Sequence, residues 1–182
     1  MSVFISRSHM STESKYSKIR REVVEMANEL LPIHYKHSVS YGLIDMKALM
    51  EHRSWHGAPG RKVNWDWERG DYGYNHYLYQ EPKRFEIAVW WRQMKLCGLS
   101  LGQPTWSGSR LRLDFIEATP LDNPIKGLTF SFIERAAELY AMRIDANEIR
   151  LMKPISAGVI DYYGKKGYAY NSRENYCYKV LR

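Results

Sequence analysis

Cysteine is scarce in this chain: two residues, Cys97 and Cys177, in a sequence of 182. They stand in separate strand-like stretches, KLCGLSLG and NYCYKVL, and make no metal or redox spacing, which argues against a disulfide framework or a cysteine zinc site. Buried apolar thiols are the expectation. A Cys/His nucleophile is disfavoured, because a thiol in an apolar strand is harder to ionise. Long apolar runs are missing as well, so no segment reaches the length needed to cross a bilayer, and no membrane partner is expected. No secretory signal is present, which points to a reducing, cytoplasmic location. Internal repeats, low-complexity tracts and long Lys/Arg runs are also lacking. Without a linker, the 21.5 kDa chain is expected to be one folded domain spanning residues 1–182.

What is abundant is positive charge and aromatic surface. The formal charge is +7 with a pI near 9.3, which favours an acidic partner: nucleic acid, a phosphorylated ligand or an acidic protein surface. Solubility together with a strongly anionic cofactor accounts for it equally simply. The densest aromatic stretch runs over residues 54–84, where Trp55, Trp65, Trp67, Tyr72, Tyr74, Tyr77 and Tyr79 mix with Arg61, Lys62, Arg69 and Lys83. Aromatics beside cations can stack bases or enclose an amine. The alternative is an irregular loop or hairpin whose rings pack on the domain. His52 and His56 have the spacing of one helical face, but Gly57, Pro59 and the lack of a third ligand leave no metal site expected.

Along the chain, Val3–Ser6 reads as a short first strand. A helix capped at Ser11 or Thr12 follows, with Ile19, Val23, Met26, Ala27 and Leu30 as its apolar stripe and Pro32 as its stop. A second helix is expected from about Leu43 to His52. Phe85–Trp91 and Lys95–Leu101 read as strands leading through a Gly-bearing loop into a third, Arg110–Pro120. Then come the turn LDNPIKG (Leu121–Gly127), a helix over Leu128–Arg143 with Ile133, Ala136, Ala137 and Tyr140 on one face, a strand over Asn147–Ile155, a short helix from Ser156, and a terminal hairpin. Gly127 opens a helix, and such a turn points several backbone N–H groups and the positive end of a helix dipole at an anion such as a diphosphate.

This order resembles the core of the GNAT superfamily of N-acyltransferases. Ile116, Ala118 and Pro120 occupy the positions of the aliphatic-x-Val-x-Pro strand end. In the Gln/Arg-x-x-Gly-x-Gly/Ala loop that follows, Gly127 fits, while Pro124 and Thr129 depart; Pro124 donates no backbone hydrogen bond, and Lys126 and Thr129 are candidates to offset it. Downstream, Ser156, Val159, Tyr163, Gly167 and Tyr168 fall on the Asn-x-x-Ala-x-x-x-Tyr-x-x-x-Gly-Phe pattern, with Tyr163 and Gly167 matching. The phrase ELLPIHY (Glu29–Tyr35) is similar to the opening of acetyltransferase-like proteins found in phage genomes. The resemblance implies an α/β, GNAT-like fold with a mixed, largely antiparallel sheet flanked by helices. It also implies acetyl-CoA as cofactor, seated by Ile116, Ala118, Lys126, Gly127, Leu128, Thr129 and Ser156, and a primary amine acceptor: a small molecule, a protein or an aminoacyl-RNA.

Acyl transfer from a thioester to an amine needs a base for the ammonium and a proton donor for the leaving thiolate. The resemblance gives the donor role to Tyr163. On the Arg110 strand, alternation sets Asp114 on the face of Ile116 and Ala118 and Glu117 on the other. Asp114 is the first candidate base and Glu117 the reserve; both also read as partners of Arg110 or Arg112, and a water chain can replace either. His34 and Tyr35, at the end of the first helix, and Trp65 and Trp67, in the aromatic segment, are the expected acceptor-binding residues. The departures at Pro124 and Thr129 keep open a second class, a catalytically inactive CoA-binding module or one that binds nucleic acid or a host protein. A homodimer is left open too.

Overall fold

The computed structural model describes residues 7–68 and 73–182; the expected strand Val3–Ser6 lies outside them. Helix α1 (Arg7–Glu29) precedes a short strand β1 (Val39–Gly42) and helix α2 (Met46–His52), which runs into a single 3-10 turn over Arg53–Trp55. After an irregular stretch over residues 56–68 come helix α3 (Tyr74–Gln80) and the strands β2 (Phe85–Trp91), β3 (Lys95–Pro104) and β4 (Arg110–Ala118). Helix α4 (Thr129–Arg143), strand β5 (Glu148–Met152), helix α5 (Ala157–Lys165) and the hairpin β6 (Ala169–Asn171) and β7 (Tyr176–Val180) complete it. The strands form one sheet in the order β1-β2-β3-β4-β5-β7-β6. Every pairing is antiparallel except β4 with β5, so the sheet is mixed and largely antiparallel, as expected.

Two apolar cores cover its faces. On one, α1 and α4 bury Ile19, Val23, Ala27, Ile133, Ala136, Ala137 and Tyr140 against Leu111, Leu113, Ile149 and Leu151, and Tyr163 of α5 joins them. On the other, Ala48, Leu49, Trp55, Trp67 and Tyr77 pack on Ala88, Leu99 and Leu101. Trp55, Trp67 and Tyr77 are core side chains, so rings of the aromatic segment pack on the domain, and part of it, residues 74–80, forms a helix, α3, where a loop or hairpin was the expectation. Among the described residues, no helix is long and apolar enough to cross a membrane.

Buried ions join the layers. Glu86 on β2 accepts from Arg84 at 3.0 Å and from the Ile44 backbone at 2.9 Å, and Arg20 of α1 lies 3.7 Å from it. Glu13 pairs with both arginines. Sequence periodicity places Arg20 on the same helical face as Val23 and Ala27, where a charge is unexpected unless paired.

Strand β4 carries the local feature that matters most for the site. Gly102 faces Leu113 and Leu101 faces Phe115, so Asp114 is an extra residue with no partner across the ladder, a β-bulge. Gly102 permits the close approach, since a Cβ there would sit 2.0 Å from the Arg112 carbonyl oxygen. The bulge overturns the simple alternation expected for this strand. Leu111 and Leu113 face the α1/α4 core, but Phe115 faces the opposite one. Asp114 is turned to that second face, where it accepts from Tyr77, and so is Glu117, which accepts from Trp67. The two carboxylates share a face, while Ile116 packs against the first core.

Candidate active site

The parallel ladder between β4 and β5 ends at the pair Leu113 and Leu151. Beyond it β4 continues to Ala118 while the chain after β5 turns toward α5. The cleft left between them holds a cavity of about 110 Å³ lined by Leu113, Asp114, Ile116, Leu151, Val159 and Tyr163, with Val63 and Trp65 from the opposite face of the sheet. It thus runs through the sheet.

The free edge of β4 faces this cleft. Thr119 N–H donates to the Cys97 carbonyl at 2.9 Å, and antiparallel ladders alternate bonded and non-bonded pairs. Glu117 and Phe115 therefore turn their peptide groups to β3, and Ile116 and Ala118 turn theirs toward the gap where β5 has left. Such an edge can pair with an extended, amide-bearing chain.

At the end of β4 the turn over residues 121–128 leads into α4. Asn123 braces it, accepting from Ile125 N–H and donating to the Thr129 hydroxyl, each at 3.1 Å. Lys126 N–H and Leu128 N–H donate within the turn. Gly127 adopts a φ of 83°, which favours glycine. Leu128, the N-cap, offers no side-chain cap. Among the described residues none accepts from the N–H groups of Gly127, Thr129, Phe130 or Ser131, so the turn presents free donors where the helix dipole is positive. Lys126 is exposed beside them. Thr129 is buried, and its hydroxyl is held by Asn123 and the Ile125 carbonyl. Ser156 caps α5 by accepting from Val159 N–H at 3.2 Å.

Tyr163 lies in the cleft wall against Phe130, with ring centroids 4.8 Å apart. Burial first, then Cys177 and Tyr162, push its phenol up, so it remains protonated at neutral pH. Among the described residues none pairs with its hydroxyl. Asp114, in the same cleft, accepts from Tyr77 at 2.6 Å and from Arg112 at 2.7 Å. Glu117 is fully engaged: Arg61 donates to it at 2.7 Å and the Trp67 indole N–H at 2.6 Å. Arg61 also reaches His52 at 3.2 Å and His56 at 3.3 Å. Among the described residues no cluster of His, Cys, Asp and Glu fits a metal ion. Burial pushes the Cys97 thiol up to about 11.

The four expected acceptor-binding residues are not brought together. His34 and Tyr35 sit on the α1/α4 side, where Tyr35 meets the Phe132 ring edge-on at 5.2 Å and lines a separate cavity of about 210 Å³ beside Leu128 and Ser131. Trp65 lines the cleft, whereas Trp67 is 2% exposed. Base stacking needs an exposed ring face, so Trp67 offers no nucleic-acid platform. Sequence reasoning missed Arg61 and Tyr77 at the site; the excess of aromatic and cationic residues over 54–84 was the signal, but their partners are distant in sequence.

No protein-family model matches the sequence, and no curated protein does. Solved structures do resemble it. A chimera of the Vibrio cholerae spermidine N-acetyltransferase SpeG with hSSAT covers 79% of this chain and 95% of its own, at 15% identity and a TM-score of 0.59. A dodecameric structure of the V. cholerae spermidine N-acetyltransferase aligns at 13% identity, 79% and 94% coverage and a TM-score of 0.58. Ard1 from Thermoplasma volcanium aligns at 10% identity, 80% and 99% coverage and a TM-score of 0.53. The chain shares the fold of the GNAT acetyltransferases.

Proposed function

We propose that this protein is an acyl-CoA-dependent N-acetyltransferase that acetylates a primary amine. The observation that carries the reading is the cleft opened where β4 and β5 part, with Tyr163 in its wall and the uncapped turn of α4 beside it. Acetyl-CoA fits the residues present: its diphosphate matches the free N–H groups at Gly127, Thr129, Phe130 and Ser131, and its amide-bearing arm matches the free edge at Ile116 and Ala118. Lys126 and Leu128 flank the diphosphate seat, and the Ser156 cap holds α5 over the cleft. Pro124 costs one donor, which the four free N–H groups replace.

Bound there, acetyl-CoA supplies an activated thioester. The residues do the rest. Asp114, held by Arg112 and Tyr77 in the cleft, attracts the incoming ammonium and takes a proton from it. The amine nitrogen forms a bond to the acyl carbon, the carbon–sulfur bond breaks, and the electron pair leaves on sulfur. Tyr163 donates its phenolic proton to that thiolate and recovers one from solvent, while the acylated nitrogen sheds its surplus proton, and Asp114 the one it took, to solvent. Glu117 we assign to holding residues 56–68 on β4, since it is buried against Arg61 and Trp67, whereas Asp114 lines the cleft.

Titration calorimetry with acetyl-CoA, followed by free-thiol release across amines headed by spermidine, tests the reading. Binding in the micromolar range and release with at least one amine are expected; absence of acetyl-CoA binding contradicts it.

A further inference from the structure

We infer that Trp65 closes the far end of the cleft and restricts the acyl group to a short chain, with Arg61 and Glu117 as its positioning residues; this rests on the cofactor reading above. A thioester whose sulfur lies by Tyr163 directs its acyl chain along the cleft toward the opposite face of the sheet. There Val63 and Trp65 form the wall. The cavity is small, about 110 Å³. An acetyl group fits such a space, and a chain long enough to reach Trp65 must displace it, because interiors are close-packed.

The wall is held, not merely present. Arg61 donates to the Trp65 backbone carbonyl at 2.7 Å and to Glu117 at 2.7 Å. The Arg61 and Glu117 side chains are only 6% and 4% exposed. The Trp65 ring stands edge-on to Phe115 at 5.1 Å and to Trp67 at 6.2 Å, and Trp67 is tied to the same carboxylate. One buried carboxylate on β4 thus fixes both the backbone and the ring neighbours of Trp65. Rigidity is what a size filter requires, since a wall that yields costs a longer substrate little.

The test is calorimetric and needs no acceptor: CoA, acetyl-CoA and butyryl-CoA titrated into the wild type, Trp65→Ala and Val63→Ala. A single methylene is discriminated about 10–200-fold by a fitted pocket, so the wild type should bind acetyl-CoA at least about tenfold tighter than butyryl-CoA. Trp65→Ala should narrow that ratio about tenfold by binding butyryl-CoA tighter, with CoA affinity within roughly threefold of wild type, and Val63→Ala should shift the ratio the same way by less. Arg61→Ala should narrow it as well, because the ring loses its anchor. Should Trp65→Ala fail to fold, Val63→Ala decides. Equal affinity of the wild type for acetyl- and butyryl-CoA, or an unchanged ratio in the folded variants, overturns the inference alone. A wild type that binds neither CoA nor acetyl-CoA overturns the functional reading, and this inference with it.

Discussion

Tyr163 is the residue on which the proposed chemistry turns. Its spacing to Gly167 was legible in the sequence, and the fold sets it in the cleft wall with its hydroxyl free. Tyr163→Phe keeps the ring on Phe130 and removes only the donor, so kcat should fall roughly 10²-fold or more with acetyl-CoA affinity and thermal stability nearly unchanged. Tyr162→Phe, whose ring meets Phe130 at 5.9 Å, should have little effect in the same steady-state assay. Full turnover by Tyr163→Phe would remove the phenol from the mechanism. Asp114 was legible as a candidate but not its direction, because alternation cannot reveal an inserted residue. His52 was legible only as half of a histidine pair. It is fully buried, and burial first, then Arg61 and His56, push its pKa down to about 4. Between pH 6.5 and 4 the unfolded chain binds a proton that the folded chain refuses. The stability present in full above pH 6.5 is therefore lost as pH falls toward 4, by roughly 3 kcal/mol from this group. Urea unfolding from pH 7 to 5 should show a steeper loss for the wild type than for His52→Gln; equal slopes would contradict the burial of a neutral imidazole.

At the scale of elements, long periodic segments were readable and short ones were not. The apolar face of α4 announced itself through Ile133, Ala136, Ala137 and Tyr140, all fully buried. The start of α5 followed from Ser156 and its cap. Strand β1, four residues between turns, is too short for alternation to show, and it is stabilised by Asn28 of α1, whose side chain accepts from Tyr41 N–H and donates to the Tyr41 carbonyl. Helix α3 was missed because its aromatic residues favour strands on propensity alone; packing of Tyr77 into the second core overrides that. The stretch over residues 56–68 has no regular structure, and Glu117 ties it to β4 through Arg61 and Trp67. Removing one partner of a buried ion pair typically costs about 3–5 kcal/mol, so Glu117→Ala should destabilise the protein by that order. A paired replacement, Glu117→Leu with Arg61→Met, should recover much of it, because an apolar pair leaves no charge stranded. Denaturant titration of Glu117→Ala, of Glu117→Leu and Arg61→Met singly, and of the pair checks this; additive losses in the double variant would show that the two side chains act independently.

In the whole molecule the described residues join one sheet, two cores and a gap. The positive charge that suggested an acidic partner is consistent with a cofactor bearing phosphates, and Trp55, Trp67 and Tyr77 of the 54–84 segment serve the second core. The cleft exists because β4 and β5, the one parallel pair among the described residues, part at Leu113 and Leu151, a property of topology that no local pattern encodes. Hydrogen exchange with and without acetyl-CoA tests the account's central claim most directly, since it reports where the ligand lies. Protection should appear at Ile116 and Ala118 on the free edge of β4 and at Gly127, Thr129, Phe130 and Ser131 in the uncapped turn, while β1 and β2 stay unchanged. Binding that leaves these amides exchanging as before, with protection elsewhere, would contradict it.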